Sequence, residues 1–148
     1  RVFVDVTANT YSAAQMLDME MKVMTALNFE LVKPTAYNIV EMLQPASQNR
    51  SFSLYAIELA TLEGISLKFR QTVIAAAAIN LSDSILKTKT PLKDINDLVS
   101  AREMAECFKE LCSLLSESNR YGLKALSRKY GQSEWHSVSK IRLTPSTD

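Results

Sequence analysis

Two thiols, Cys107 and Cys112, and one imidazole, His136, are the whole supply of soft nucleophiles and nitrogen ligands in this chain. A separation of five turns the two cysteines about 140° apart on a helix, so they neither share a metal nor pair readily in a disulfide. Reduced thiols suit a nuclear or cytoplasmic compartment. His136 has no cysteine or carboxylate at ligand spacing, which leaves no metal set. Pairing it with Cys107 as nucleophile and base needs the fold to bring the two together, and a tail histidine beside Trp135 reads instead as a packing or hydrogen-bonding residue. Ser84-Ile85-Leu86-Lys87 has the form S-x-x-K without the companion motifs that make it catalytic. Glu58 and Glu63 stand alone, with no second carboxylate pair for a di-metal box. The glycines, at 64, 122 and 131, are too far apart for a phosphate-cradling loop or a dinucleotide fingerprint. Asn49-Arg50-Ser51 is a formal glycosylation acceptor without meaning inside a cell. The expectation is a protein with no catalytic residue, no cofactor and no metal, and so not an enzyme.

The 148 residues are 47% apolar and 22% charged, which suits one folded domain or one domain and part of another. The longest apolar run, Val73 to Ile79, is far short of the roughly 20 residues of a membrane span. The start, Arg1-Val-Phe-Val-Asp5, holds no signal-peptide core, and Arg1 in place of Met leads us to expect a piece of a longer protein. A net charge of +1 argues against nucleic acid as a partner. Residues 13–63 carry six acidic against three basic side chains, and residues 119–142 one against six. The basic end reads as a solvated helix and tail, the alternative being a patch for an acidic partner.

With three Gly and four Pro, the chain suits helices joined by short loops. Ser12 and Gln15 form a capping box ahead of a helix over about 12–28, whose apolar residues cover more than one side. Pro34 stops helix continuation, and Thr35 caps a short helix over 36–43. The polar stretch 44–51 reads as a loop, followed by a helix through Tyr55, Leu59 and Leu62 to Gly64. Thr72 to Leu86 is apolar nearly all round, with Ala75 to Ala78 in its middle, and predicts the central helix of a bundle. Pro91 opens a helical piece to Val99, and Ser100 with Glu103 caps a helix through Cys107, Leu111 and Leu115. A last helix spans about 119–130 and ends at Gly131, leaving an irregular tail in which Trp135 and Val138 can pack back. No strand period is visible.

Phe3-Val4-Asp5-Val6-Thr7-Ala8-Asn9-Thr10-Tyr11, then Met19-Glu20 through Leu27-Asn28-Phe29-Glu30-Leu31-Val32-Lys33-Pro34-Thr35, form a dense pattern in register. It resembles F-V-x-I-T-D-x-T-Y and M-E-x-x-I/V-L-x-x-L-x-F-x-L-x-x-P-T of A/B-type mitotic cyclins. Lys68-Phe69-Arg70-Gln71-Thr72-Val73-Ile74-Ala75-Ala76-Ala77-Ala78 is similar to the family's K-Y-x-P-S-x-I-A-A-A-A. Lys129-Tyr130 and His136-Ser137-Val138-Ser139 resemble its K-Y and H-x-V-S ending. Departures are Val6 for Ile, Ala8 for an acidic residue, and Gln71 for the Pro favoured at a first helical position. Residues 87–103 match poorly.

The resemblance implies an all-α fold: a cyclin-box bundle of five helices around the Ala-rich helix, preceded by the last helix of a truncated first box. It divides the chain into 1–32 (the end of the N-terminal box), 33–131 (the C-terminal box) and 132–148 (a tail). Residue 1 then falls near the end of the first box's fourth helix. The implied function is that of a non-catalytic subunit that binds and activates a cyclin-dependent protein kinase in the cell cycle, in nucleus and cytoplasm. Phe3, Asp5 and Val6 match the stretch that contributes to the kinase contact, Phe3 as an anchor or else as a core residue. Most of the kinase-binding box would lie upstream, so this stretch alone is expected not to activate a kinase. One face of helix 12–28 is then expected to lack its cover and to be buried by a second copy of the chain. The competing reading is a cyclin-box-like domain of a general transcription factor that binds DNA and polymerase. Against it, the box helices are near neutral.

Overall fold

The computed structural model describes residues 2–92, 95, 97–117 and 124–141, and divides the chain into two compact units, Arg1–Lys33 and Pro34–Asp148. The described residues are helices, 3-10 turns and loops, without strand.

In the first unit α1 spans Val2–Val6 and α2 spans Ala13–Ala26. The sequence pattern does not reveal α1, because five residues are too few to show a helical period. The Ser12 capping box forms as expected: Gln15 N–H donates to Ser12 Oγ at 3.3 Å, and Ser12 N–H donates to Gln15 Oε1 at 2.9 Å. No glycine occurs before position 64, so both helices end on other residues in the left-handed region, Ala8 and Asn9 after α1 and Asn28 and Phe29 after α2. Phe29 N–H reaches back to Met24 O at 2.9 Å and closes the last turn of α2, as a Schellman end does. None of the α2 residues is buried, and Leu17, Met19, Met21, Val23 and Leu27 are all exposed.

The second unit holds α3 (Ala36–Leu43), α4 (Gln48–Leu62), α5 (Gln71–Leu86), α6 (Ala101–Glu117) and α7 (Lys124–Tyr130). Thr35 caps α3, its Oγ1 accepting from Asn38 N–H. The α4 helix starts earlier than its sequence suggests. Ser47 Oγ accepts from Arg50 N–H at 3.3 Å, so the polar residues Gln48, Asn49 and Arg50 form a first helical turn rather than a loop. Gly64, at φ 73°, ends α4 in a conformation that side-chain-bearing residues rarely take, and a 3-10 turn over Ile65–Leu67 follows. The cap of α6 forms between Ser100 and Glu103, whose N–H donates to Ser100 Oγ at 3.2 Å.

The α5 helix is the buried centre expected of its composition: Val73 to Ile79 are all inaccessible, as are Leu81 and Ser82. It packs against α3, α4 and α6. Where α4 and α5 meet, Ser53 Oγ donates to Ser82 Oγ at 3.0 Å and Ser82 Oγ to Ile79 O at 2.9 Å, so the small polar groups of the seam are satisfied. Gln71, in place of the proline of the resembling pattern, does more than lose a favoured first residue. Its Oε1 accepts from Ala36 N–H at 2.9 Å and joins the first turn of α3 to the first turn of α5.

The helical piece expected over Pro91–Val99 falls partly outside the described residues, although Leu92, Ile95 and Val99 are buried. The expected start of the last helix, with Leu123, lies outside them too, and Leu126 and Tyr130 are its buried side. The tail corrects the sequence reading. Residues 132–141 are not irregular but form two 3-10 turns, Ser133–Trp135 and Val138–Lys140, joined through His136 and Ser137 in the left-handed region. Both pack on α7, and the second also on α4. Val138 is fully buried. Gly131 permits the chain to turn there, since a Cβ on it would stand 2.8 Å from Ser127 O.

Candidate functional site

Phe3, Asp5 and Val6, the residues that the resemblance assigns to a partner, lie on α1. The turn is closed by Thr7 Oγ1 donating to Val4 O at 2.8 Å and by Asn9 N–H donating to Val4 O at 3.2 Å. Val4 is half-buried, whereas Phe3 is 76% exposed and Val6 79%, with Asp5 exposed between them. An exposed aromatic flanked by an aliphatic and a carboxylate is chemically suited to an apolar anchor with one polar contact.

Cys107 is fully buried, and burial first, then the charge of Glu110, pushes its thiol from 9.0 up to about 12. That is the reverse of an activated nucleophile. Sequence reasoning missed the pairing of Ser51 with His136, whose Oγ and Nδ1 stand 3.0 Å apart although 85 residues separate them. They line a cleft of ≈ 180 Å³ with Arg50 and Glu134, below the usual 300–1,000 Å³ of a ligand pocket. Ser51 lies within α4, its N–H donating to Ser47 O at 3.1 Å, so the backbone there is not free to hold an oxyanion. The pair fastens the tail to α4. No set of three metal-binding side chains is assembled among the described residues, and no described helix is long and apolar enough to cross a membrane.

A larger cluster, also invisible in the sequence, joins α4 to α7 and the tail. Tyr130 Oη donates to Glu58 Oε1 at 2.7 Å, and Lys129 Nζ donates to the same oxygen at 2.6 Å. Lys129 Nζ also stands 4.9 Å from the ring centres of both Tyr130 and Trp135. One cation of the basic end is thus a structural fastener. Lys124, Arg128 and Lys140 are exposed.

A family model described as the cyclin C-terminal domain matches residues 24–143, which include α3 to α7 and both tail turns. The chain belongs to the cyclin family. Cyclin-A1-1 of Oryza sativa subsp. japonica is 31% identical over 97% of this chain and 31% of its own length. Cyclin-A1-2 of Arabidopsis thaliana is 28% identical over 98% of this chain and 36% of its own. The G2/mitotic-specific cyclin-B of Spisula solidissima is 26% identical over 94% of this chain and 34% of its own. The chain spans about a third of the length of these relatives. The all-α box around an Ala-rich helix is the cyclin fold, and similarity to both A- and B-type cyclins agrees with the motifs of residues 3–35 and 68–78.

Proposed function

We propose that this cyclin is a non-catalytic regulatory subunit that binds and activates a cyclin-dependent protein kinase in cell-cycle control, acting in nucleus and cytoplasm. The observation that carries the reading is the match of residues 24–143 to a cyclin domain, together with A- and B-type relatives aligned along nearly the whole chain. An activator of this kind needs only to bind the active conformation of its kinase better than the inactive one. The kinase performs the chemistry. Activation requires the kinase C-helix to turn inward, so that its Glu pairs with the Lys that holds the ATP phosphates. Phe3 is the apolar anchor against the kinase, with Val6 beside it and Asp5 supplying a polar contact. The exposure of all three supports this role.

Affinity purification of the protein from its own cells, followed by phosphorylation of histone, tests the reading. Recovery of a serine/threonine kinase activity is the expected result, reduced about tenfold by Phe3→Ala, the ~1.4 kcal/mol of a moderate interface anchor. Recovery of DNA and RNA polymerase without a kinase would instead make the chain a transcription-factor-like box.

Self-association through residues 12–28 is a separate part of the proposal. Leu17 is 65% exposed, and Met19, Met21, Val23 and Leu27 are about half exposed. Apolar side chains on more than one side of a helix seek cover, and flexible methionines adapt to a new partner. We expect the 148-residue chain to sediment as a concentration-dependent dimer, and Leu17→Glu with Met21→Glu to return it to monomer. A monomer at every concentration would refute this.

A further inference from the structure

We propose that Thr90 is a phosphorylation site for a proline-directed protein kinase, and that a phosphate there releases the loop over residues 87–91 from α4 and α5. The inference stands apart from the kinase-activating role above, since any proline-directed kinase could be the writer.

The loop follows α5 directly. Lys87, at φ 53°, ends the helix in the left-handed region, and Thr88 N–H donates to Asp83 O at 3.0 Å. Beyond that point Asp83 holds the loop through its carboxylate. Oδ2 accepts from Thr90 N–H at 2.6 Å, while Oδ1 accepts from Thr90 Oγ1 at 3.1 Å, Thr88 Oγ1 at 2.8 Å and Asn49 Nδ2 at 3.1 Å. From the other side, Gln44 Nε2 donates to Thr90 Oγ1 at 3.2 Å and to Ser82 Oγ at 3.3 Å. Gln44 is only 2% exposed. The orientation of its amide follows from the hydroxyls: the Ser82 proton goes to Ile79 O and the Thr90 proton to Asp83, so both oxygens can only accept from Gln44. Thr90 is therefore the one residue of the loop bonded both to the Asp83 carboxylate and to a buried amide of α3's end.

The sequence around it is Thr90-Pro91-Leu92-Lys93, a threonine followed directly by proline with a basic residue three positions on. Proline-directed kinases select that dipeptide. Pro91 and Lys89 are exposed, and the loop runs along an open cleft of ≈ 710 Å³ lined by Asp83, Ser84, Thr88, Lys89, Thr90 and Pro91. The kinase would transfer the γ-phosphoryl group of ATP to Thr90 Oγ1. The bond from the γ-phosphorus to the bridging oxygen breaks, a P–Oγ1 bond forms, ADP leaves, and the hydroxyl proton passes to the kinase's catalytic base. The product cannot coexist with the present contacts. Thr90 Oγ1 loses the proton it donates to Asp83, and about two negative charges arrive beside that carboxylate, where like-charge repulsion opens the contact. Lys87 and Lys89 travel with the loop and offset the phosphate once it reaches solvent.

The test uses the full chain with Thr144→Ala, which removes the other Thr-Pro of the sequence, incubated with ATP and a purified, activated mitogen-activated protein kinase, an enzyme of the proline-directed class. A free peptide of residues 84–97 serves as a substrate control. The expected result is one phosphate per chain, mapped to Thr90, absent in Thr90→Ala and at least tenfold slower in Pro91→Ala. The phosphorylated chain should exchange the amide hydrogens of residues 88–90 at least tenfold faster with its helical circular dichroism unchanged. A peptide that is phosphorylated while the folded chain is not would overturn the proposal, as would no phosphate on either. Phosphate on Thr90 with unaltered exchange would overturn the release of the loop.

Discussion

Tyr130→Ala should destabilise the unit of residues 34–148 by about 3–5 kcal/mol, the cost of deleting a large, fully buried aromatic. The ring lies 5.1 Å from that of Tyr55 and 4.9 Å from that of Trp135, so its loss opens a cavity between α4 and the tail. Its hydroxyl adds a bond to the Glu58 carboxylate, and burial followed by that carboxylate raises the phenol well above its ordinary range. Tyr130→Phe keeps the ring and leaves Glu58 with Lys129, so it should cost about 1.5–3 kcal/mol, the usual size of a hydrogen bond to a charged group. Urea denaturation followed by circular dichroism measures both. An alanine variant within about 1 kcal/mol of the parent would mean that the tail is not part of the cooperative core.

Cys107 should resist thiol reagents in the native chain and react in concentrated guanidinium, with a difference of roughly a thousandfold near neutral pH from the thiolate fraction alone. A rise from 9.0 to about 12 accounts for that factor. Cys112, half-buried, is raised by burial as well but is not sealed, and it should label first. The same shift sets a pH dependence of stability. Below about pH 9 the thiol is protonated in both states and its contribution is complete. Between about 9 and 12 the unfolded chain has released the proton that the folded chain retains, so the folded state binds more protons and stability falls as pH rises. Tyr130 has the same sign from above its ordinary pKa of 10.0. The urea midpoint should therefore drop across that alkaline window, and more shallowly in Cys107→Ala. Equal labelling of both thiols in the native chain, or a flat midpoint, would contradict the burial of Cys107.

The features legible in the sequence were those written in neighbouring residues. Ser12 with Gln15, Thr35, and Ser100 with Glu103 are each complete within one turn of backbone, and all of them cap helices. The uniform apolarity of Thr72 to Leu86 likewise announced a helix enclosed by others. Short or polar helical turns escaped: α1 has five residues, and the first turn of α4 is Gln48-Asn49-Arg50, indistinguishable from a loop by composition. Contacts between distant residues escaped for a different reason. Glu58 with Tyr130 and Ser51 with His136 are 72 and 85 residues apart and obey no period, so nothing local marks them. Lys129-Tyr130 was recognisable only as a family pattern, without any hint of what the two side chains hold. Gln71 shows the limit of pattern matching, since the departure from proline reads as a loss until the bond to Ala36 is seen. The assignment of Phe3, Asp5 and Val6 to a partner rests on resemblance alone, because three exposed residues on a five-residue helix carry no signature in packing.

The buried middle of α5 uses some of the smallest side chains available, Ala75 to Ala78 around the helix and Ser82 facing Ser53 of α4, all of them buried. Alanine has no rotamers to lose, so ordering this part of the chain forfeits backbone freedom but almost no side-chain entropy. The apolar area each of these residues removes from water is correspondingly small. What they offer instead is proximity of the central helix backbone to its neighbours, where many weak dispersion contacts accumulate at short range. Larger buried residues, among them Phe52, Ile74 and Leu111, bear the hydrophobic share of the stability and the rotamer cost that accompanies it. The centre of this box thus gains its rigidity from an interface with very little conformational disorder to suppress.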